Sequence, residues 1–191
     1  MHSRATITSE EKENVELVKG AVEGDVDAYG KLYEIYLDRI YRYVFYRTRD
    51  VMIAEDITEE VFLRAWKNIG SCRGKEHTFR PWLYRIAHNQ IVDTFRKNHR
   101  YSHVEIVDCD RADSIEDTVE FEVEWQQLLT AISTLPEPQK EIILLKFVEG
   151  ASNQEIEQIT GKRQGAIRAL QMRALASLRR CLNVGVVEDG K

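Results

Sequence analysis

From Ala28 to Arg47, apolar and aromatic side chains recur at Tyr29, Leu32, Tyr33, Tyr36, Ile40, Tyr43 and Val44, the three-and-four spacing that collects them on one side of a helix. A segment that long, with that period and no proline, has one face to bury and needs other helices to bury it against. Asp25 and Asp27 stand just before it, where carboxylates meet the free N–H groups of a helix start. The same grammar continues. Asp50 is placed to cap Val51–Ile69 and Gly70 to close it, while polar, glycine-containing Ser71–His77 reads as a loop. Thr78 is placed to cap a helix that carries Pro81 in its first turn and runs to about Lys97. Further on, Val119–Ser133, Pro136–Val148, Asn153–Ile159 and Gln164–Leu182 read as helices, with Gly150 and Gly161 as stops. Only 3 prolines and 10 glycines interrupt 191 residues, so long uninterrupted helices are expected. Between the halves, Asn98 to about Asp117 is acid-rich and has no clean period. The fold class is therefore all-α, two small helical domains joined by an acidic, flexible linker. The expected boundaries are an N-terminal extension at 1–20, a first domain at 21–100, the linker at 101–118, a second domain at 119–182 and a tail at 183–191.

Charge is distributed in blocks. The whole chain carries −5, which argues against a nucleic-acid partner until the blocks are separated. Arg80, Arg85, Arg96, Lys97 and Arg100 face a single acid, Asp93, within 80–100. Lys162, Arg163, Arg168, Arg173, Arg179 and Arg180 have no acid among them within 161–180. Between the two lie nine carboxylates against Arg111, from Glu105 to Glu124. Screening confines a charge's reach to ~8 Å at physiological salt, so the local blocks decide phosphate binding and the sum does not. Solvated helix faces would account for either block alone; two together flanking an acidic stretch favour nucleic acid.

Other classes fall away. No apolar run approaches the roughly 20 residues of a membrane span, so membrane insertion is not expected. Polar Met1–Glu16 lacks the basic and apolar parts of a secretory signal. Cys72, Cys109 and Cys181 stand in neither disulfide-framework nor zinc spacing, which suits a reducing cytoplasm. Asp56 with Glu59 and Glu60 hints at a metal-dependent hydrolase or nuclease, but no histidine or further acid stands at ligand spacing. No catalytic residue, metal or cofactor is expected.

Three constellations remain. In 150–182 a short helix with Ile156 and Ile159 inward, a tight turn at Gly161 and a longer helix with Ile167, Leu170, Ala174 and Leu178 on one stripe have helix-turn-helix grammar. Arg168, Ala169, Met172, Arg173 and Ala176 fall on the opposite side, where small residues allow approach to a groove and arginines reach phosphates or guanine edges. A purely structural hairpin would show the same face. In the helix after Thr78, Phe79, Leu83, Ile86 and Ala87 form a core stripe, and Arg85, Asn89, Val92 and Arg96 form another. Cations and an amide beside Trp82 and Tyr84 suit single-stranded DNA, where rings stack on unpaired bases, although core packing alone explains Trp82 as well. On Val51–Ile69, Ala54, Ile57, Val61, Phe62, Ala65 and Ile69 share the apolar side. Leu63 falls opposite, among Asp56, Glu59, Glu60 and Lys67, as the anchor and rim of a protein interface would.

These segments carry a resemblance. Glu55-Asp56-Ile57-Thr58-Glu59-Glu60-Val61-Phe62-Leu63-Arg64-Ala65-Trp66 looks like region 2.2 of the extracytoplasmic-function (group 4) sigma factors of the sigma-70 family. Phe79-Arg80-Pro81-Trp82-Leu83-Tyr84-Arg85-Ile86-Ala87-His88-Asn89, with Asp93 and Arg96, resembles their regions 2.3 and 2.4. Leu135-Pro136-Glu137-Pro138-Gln139-Lys140 through Gly150 is similar to region 4.1, and Ser152–Arg180 to region 4.2. The four pieces stand in the family's order from about Ala21 to Arg180.

The resemblance implies a transcription initiator that binds core RNA polymerase, at the β′ clamp helices and the β flap, and promoter DNA. It also implies an anti-sigma factor and an inducing stress. Asp56, Glu59, Glu60 and Leu63 would contact the clamp helices. A base flipped from the −10 element would enter near Arg73, Lys75 and His77, and Trp82, Tyr84, Arg85, His88, Asn89, Arg96 and Lys97 would hold the melted strand. Lys162, Arg163, Gln164, Arg168, Ala169, Met172 and Arg173 would read the −35 element. The acidic linker would thread toward the RNA exit path. One departure stands out: Arg163 occupies the family's usual cap-serine position, which leaves the start of the reading helix open, with Thr160 as the alternative cap. A stand-alone helix-turn-helix regulator with a sensing N-terminal half is the rival, but it has no use for the acid-ringed Leu63. In the free chain the linker and the acidic N-terminal segment are expected to screen both basic blocks, giving a compact state with poor promoter affinity.

Overall fold

The computed structural model describes residues 9–101 and 127–184. Every regular element among them is helical. The linker, the first turns expected from Val119, Cys109 and the tail from 185 onward lie outside the described residues.

The first unit begins earlier than the sequence suggests. Helix α1, Ser9–Glu23, packs into the bundle because Val18 and Ala21, three residues apart on one face, are each 1% exposed. Its close approach to the next helix depends on Gly20, where an added Cβ would sit 3.0 Å from the Ala28 methyl. Helix α2, Val26–Thr48, is capped by Asp25, whose carboxylate accepts from Asp27 N and Ala28 N at 2.9 and 3.1 Å. Helix α3, Val51–Asn68, is capped by Asp50, which accepts from Ile53 N at 2.9 Å. Two short 3₁₀ turns, Ile69–Cys72 and Glu76–Thr78, lead into helix α4, Phe79–Tyr101. Thr78 does not take the expected capping role: its hydroxyl donates to the Lys75 carbonyl, bracing the turn before the helix. The core is the sum of the apolar stripes: Leu32, Ile40, Val44, Ala54, Val61, Ala65, Leu83, Ala87 and Ile91 are all sealed.

The second unit comprises α5 at 127–133, α6 at Glu137–Ile143, α7 at Asn153–Thr160 and α8 at Gln164–Val184. The sequence predicts one helix from Pro136 to Val148, but the ladder widens after Ile143 into a π turn, Leu144–Val148, in which Glu149 N donates to Leu144 O at 3.0 Å. Such turns, one residue wider than an α-turn, recur at functional positions. Leu144 and Leu145 are sealed within it, while Phe147 is 56% exposed. The two units pack against each other, α7 against α4 and α6 against α2.

Candidate nucleic-acid and protein interfaces

The helix-turn-helix is built by local chemistry. Ser152 and Glu155 form a reciprocal capping box: Glu155 N donates to Ser152 Oγ at 3.2 Å, and Ser152 N to Glu155 Oε2 at 2.8 Å. Gly161 closes α7 at φ 70°, a left-handed conformation that glycine adopts without strain. Thr160 accepts from Lys162 N at 3.2 Å, so it braces the turn, while α8 starts at Gln164 with the Arg163 carbonyl accepting from Ala166 N and Ile167 N. The start left open by the missing serine is thus fixed without a side-chain cap. Gln164 instead ties the two helices together through Glu157 at 3.1 Å. Ile156, Ile159, Ile167, Ala174 and Leu178 are buried, which leaves Arg163, Arg168, Ala169, Met172 and Arg173 exposed on the outer side.

On α3, Leu63 is 45% exposed at one edge of an apolar groove of about 240 Å³ lined by Val26, Tyr29, Tyr33, Glu59, Phe62 and Trp66. Ring contacts shape its floor: Tyr29 meets Trp66 at 4.8 Å, Tyr33 meets Phe62 at 4.7 Å, and Tyr29 also donates to the Phe62 carbonyl at 2.6 Å. Glu60 pairs with Arg64 at 2.5 Å, whereas Asp56 and Glu59 face solvent. Among the described residues no cluster of three His, Cys, Asp or Glu could hold a metal.

The loop before α4 is held rather than loose. Lys75 N donates to Cys72 O at 2.8 Å and Gly74 N to Glu76 Oε1 at 2.8 Å, and α1 packs on both 3₁₀ turns. Arg73, Lys75 and His77 project from it into solvent. Cys72 beneath it is buried, and burial pushes its thiol up to about 11, which leaves it inert. Along α4, Arg85, Asn89, Arg96 and Lys97 are exposed, and Trp82 is half-buried against Phe79 at 5.8 Å.

Tyr84 and His88 stand differently. Tyr84 is 1% exposed; it meets Tyr43 edge-on at 5.4 Å and donates to the Glu149 carboxylate. Burial, then the Glu149 charge, raise its hydroxyl well above the ordinary range, so it stays a neutral donor. His88 contacts Glu141 at 2.5 Å, and Arg80 reaches Glu155 at 3.3 Å and the Glu149 carbonyl. Neither tyrosine ring nor imidazole is open to a nucleobase in this packing.

Sequence reasoning missed what holds the units together. Arg47, 4% exposed, donates to Glu141, 2% exposed, at 2.7 Å, and reaches Glu137 at 3.4 Å; Lys162 completes the cluster, 3.2 Å from the other Glu141 oxygen. Burial works to raise the Glu141 carboxyl, but the His88 hydrogen bond and the charges of Arg47 and Lys162 outweigh it and bring it down to about 2. Glu149 runs the other way: burial raises it against the Tyr84 hydrogen bond and the charges of Arg42, Arg80 and Arg39. A signal was present, since Arg47 continues the Ile40, Tyr43, Val44 stripe and so puts a cation where an apolar residue belongs. The acids that pair across the units come from α6, the residue closing the π turn and α7; those of the expected linker lie outside the described residues.

Comparison with known proteins accounts for both units. Residues 32–101 match the family model Sigma-70 region 2, and residues 125–178 match Sigma-70, region 4. The chain is 37% identical over 185 residues to the ECF RNA polymerase sigma factor BldN of Streptomyces coelicolor, covering 95% of this chain and 70% of that protein. It is 31% identical over 177 residues to the ECF RNA polymerase sigma factor SigW of Bacillus subtilis, covering 86% and 94%. The fold is shared with CnrH, solved in complex with the cytosolic domain of CnrY, at TM-score 0.67 and 20% identity over 90% of this chain and 98% of that one. It is shared also with RpoE of Bartonella quintana, solved with the anti-sigma factor NepR, at TM-score 0.69 and 22% identity over 83% and 99%. A two-unit helical chain that matches sigma regions 2 and 4 in order, and whole relatives at this identity, belongs to the extracytoplasmic-function sigma factors of RNA polymerase.

Proposed function

We propose that this sigma factor divides initiation among three surfaces: the Leu63 groove docks on core RNA polymerase, the loop and outer stripe of α4 hold the melted −10 strand, and the outer face of α8 reads the −35 duplex. The observation that carries this reading is the groove around Leu63, an exposed apolar patch with Glu59 at its rim. A stand-alone regulator would leave such a patch without a purpose. The division at 21–100 and 119–182 goes with it, except that α1 extends the first domain back to Ser9. The chain acts in the cytoplasm and without catalytic residues of its own. No helix among the described residues is long and apolar enough to cross a membrane. RpoE of Bartonella quintana is solved with an anti-sigma factor, and a partner of that kind is proposed here too.

Reconstitution with core polymerase tests the whole reading. Holoenzyme selected on genomic fragments should enrich a two-element promoter and start transcripts at a fixed point; core polymerase that gains no promoter preference would refute it.

Two surfaces can then be separated. Arg173→Ala should weaken binding to −35 duplex and lower the slope of log affinity against log salt by about 1, as loss of one phosphate contact does. An unchanged slope would place Arg173 away from the backbone. Alanine at Arg85, Asn89 and Arg96 together should leave duplex binding intact and slow strand opening, read by permanganate reactivity of unpaired thymines. Equal loss in both assays would contradict the assignment of α4 to the melted strand.

A further inference from the structure

Arg80, Tyr84 and His88 lie four residues apart along α4, one turn after another on a single stripe, about 6 Å per step. Each meets a carboxylate of the second unit: Arg80 meets Glu155, Tyr84 meets Glu149, and His88 meets Glu141. The arrangement is a ladder of anions laid along a helix of donors. Glu155 also closes the capping box of α7 and Glu141 also meets Lys162 within its own unit, whereas the three contacts to α4 exist only while the units are together. We propose that the carboxylate face of α6, the π turn and α7 is a built-in competitor for the melted DNA strand, occupying the donors of α4 as backbone phosphates would. This rests on the reading of α4 as the strand-holding surface.

The competitor is selective in what it covers. Arg85 and Asn89 follow Tyr84 and His88 directly, so they remain exposed on the adjacent stripe while the second unit walls off one flank of their approach. The outer face of α8, with Arg163, Arg168, Met172 and Arg173, stays exposed in the same packing, and so does Leu63. The closed chain therefore offers its polymerase-docking groove and its duplex-reading helix and leaves Arg85, Asn89 and Arg96 exposed, while it covers Tyr84 and His88, the two rings on the inner flank of the strand-holding surface. This differs from screening of both basic blocks by the linker, because only the Arg80, Tyr84, His88 stripe is covered.

The lock is the buried pair. Glu141, 2% exposed, keeps its charge through His88, Arg47 and Lys162, and the charge of Arg47, 4% exposed, is balanced by Glu141 and, at 3.4 Å, by Glu137. Both find water when the units part, so the contact is made or broken as a whole. A cleft of about 430 Å³ beside the pair, lined by Arg47, His88, Arg96, Glu137, Glu141 and Lys162, marks where it would open.

The test uses the full chain without polymerase and two probes, a fluorescein-labelled single strand of mixed sequence and the same strand as a duplex. Glu141→Gln removes the charge without adding a cation and leaves buried Arg47 with only Glu137, at 3.4 Å, to balance it, so scattering should report a larger radius of gyration. Single-strand affinity should rise about tenfold, the factor lost when a binding-competent state is a minor one, and duplex affinity should hold. Where that variant fails to keep its helicity, Glu149→Gln with Glu155→Gln, at the more exposed end of the ladder, carries the same expectation. An opened chain with unchanged single-strand affinity would overturn the proposal, as would an equal gain for both probes, which is a general charge effect. A chain that stays closed would overturn the role given to the lock. Promoter-directed transcription by the parent holoenzyme is read in parallel: its absence would sink the assignment of surfaces, whereas its presence with no single-strand gain sinks only the competitor.

Discussion

Leu63→Glu is expected to lower the affinity for core RNA polymerase about a hundredfold while the chain keeps its helicity. An anchor residue at the centre of a protein interface contributes ~2–4 kcal/mol, and each 1.4 kcal/mol is a factor of ten. Leu63 has the marks of such an anchor. It is 45% exposed, stands at an apolar groove floored by Tyr29, Tyr33, Phe62 and Trp66, and makes no contribution to the sealed core on the other side of α3. A carboxylate there would have to be desolvated against apolar surface, next to Glu59. Substitutions at Glu59 and Glu60 should have smaller effects, because rim charges remain solvated and Glu60 is already paired with Arg64. Titration of labelled core with the variant, alongside circular dichroism, decides the matter. Unchanged affinity with normal helicity would remove α3 from the docking surface.

The second large effect falls on stability. Leu83 is fully buried on α4, within the core shared by all four helices of the first unit. Truncation to alanine should destabilise that unit by ~2–5 kcal/mol, through lost transfer energy and the cavity left behind. Against a total of ~5–15 kcal/mol for an ordinary domain, the loss should be plain in urea unfolding and in transcription at elevated temperature. Ile86, half-buried on the same helix, should cost less when truncated. A loss below 1 kcal/mol at Leu83 would mean that the site collapses around the gap.

How far the molecule can be read from its residues depends on the range of the interaction involved. Periodicity located α2, α3, α4, α7 and α8 because burial of one face is written every three or four residues. Leu63 was legible for the same reason, as an apolar residue on the face opposite the stripe. Helix α1 was hidden because nearly half of its residues are charged, with Val18 and Ala21 as its only sealed contacts among the described residues. The burial of Tyr84 could not be read from α4 alone, since the group that covers it, Glu149, lies 65 residues away. Arg47 and Glu141, 94 residues apart, belong to the same class: each looks like an ordinary surface charge until the other is known. Pairings across units leave almost no local trace, and here the trace was a cation set into an apolar stripe.

The π turn at Leu144–Val148 also bears on how the protein tolerates changes in chain length. Deleting one residue from it would let the ladder close regularly, at little local expense. Everything beyond would then rotate by about 100° around the axis of α6. Glu149 would swing away from Tyr84, and the pair α7–α8 would turn with it, carrying Arg168 and Arg173 to a new bearing relative to the first unit. The widened turn thus acts as an indexing pin that sets the angular phase between the region 2 unit and the helix-turn-helix of the region 4 unit. A homologue lacking that extra residue has either to re-aim its α8 or to give up the Tyr84 contact.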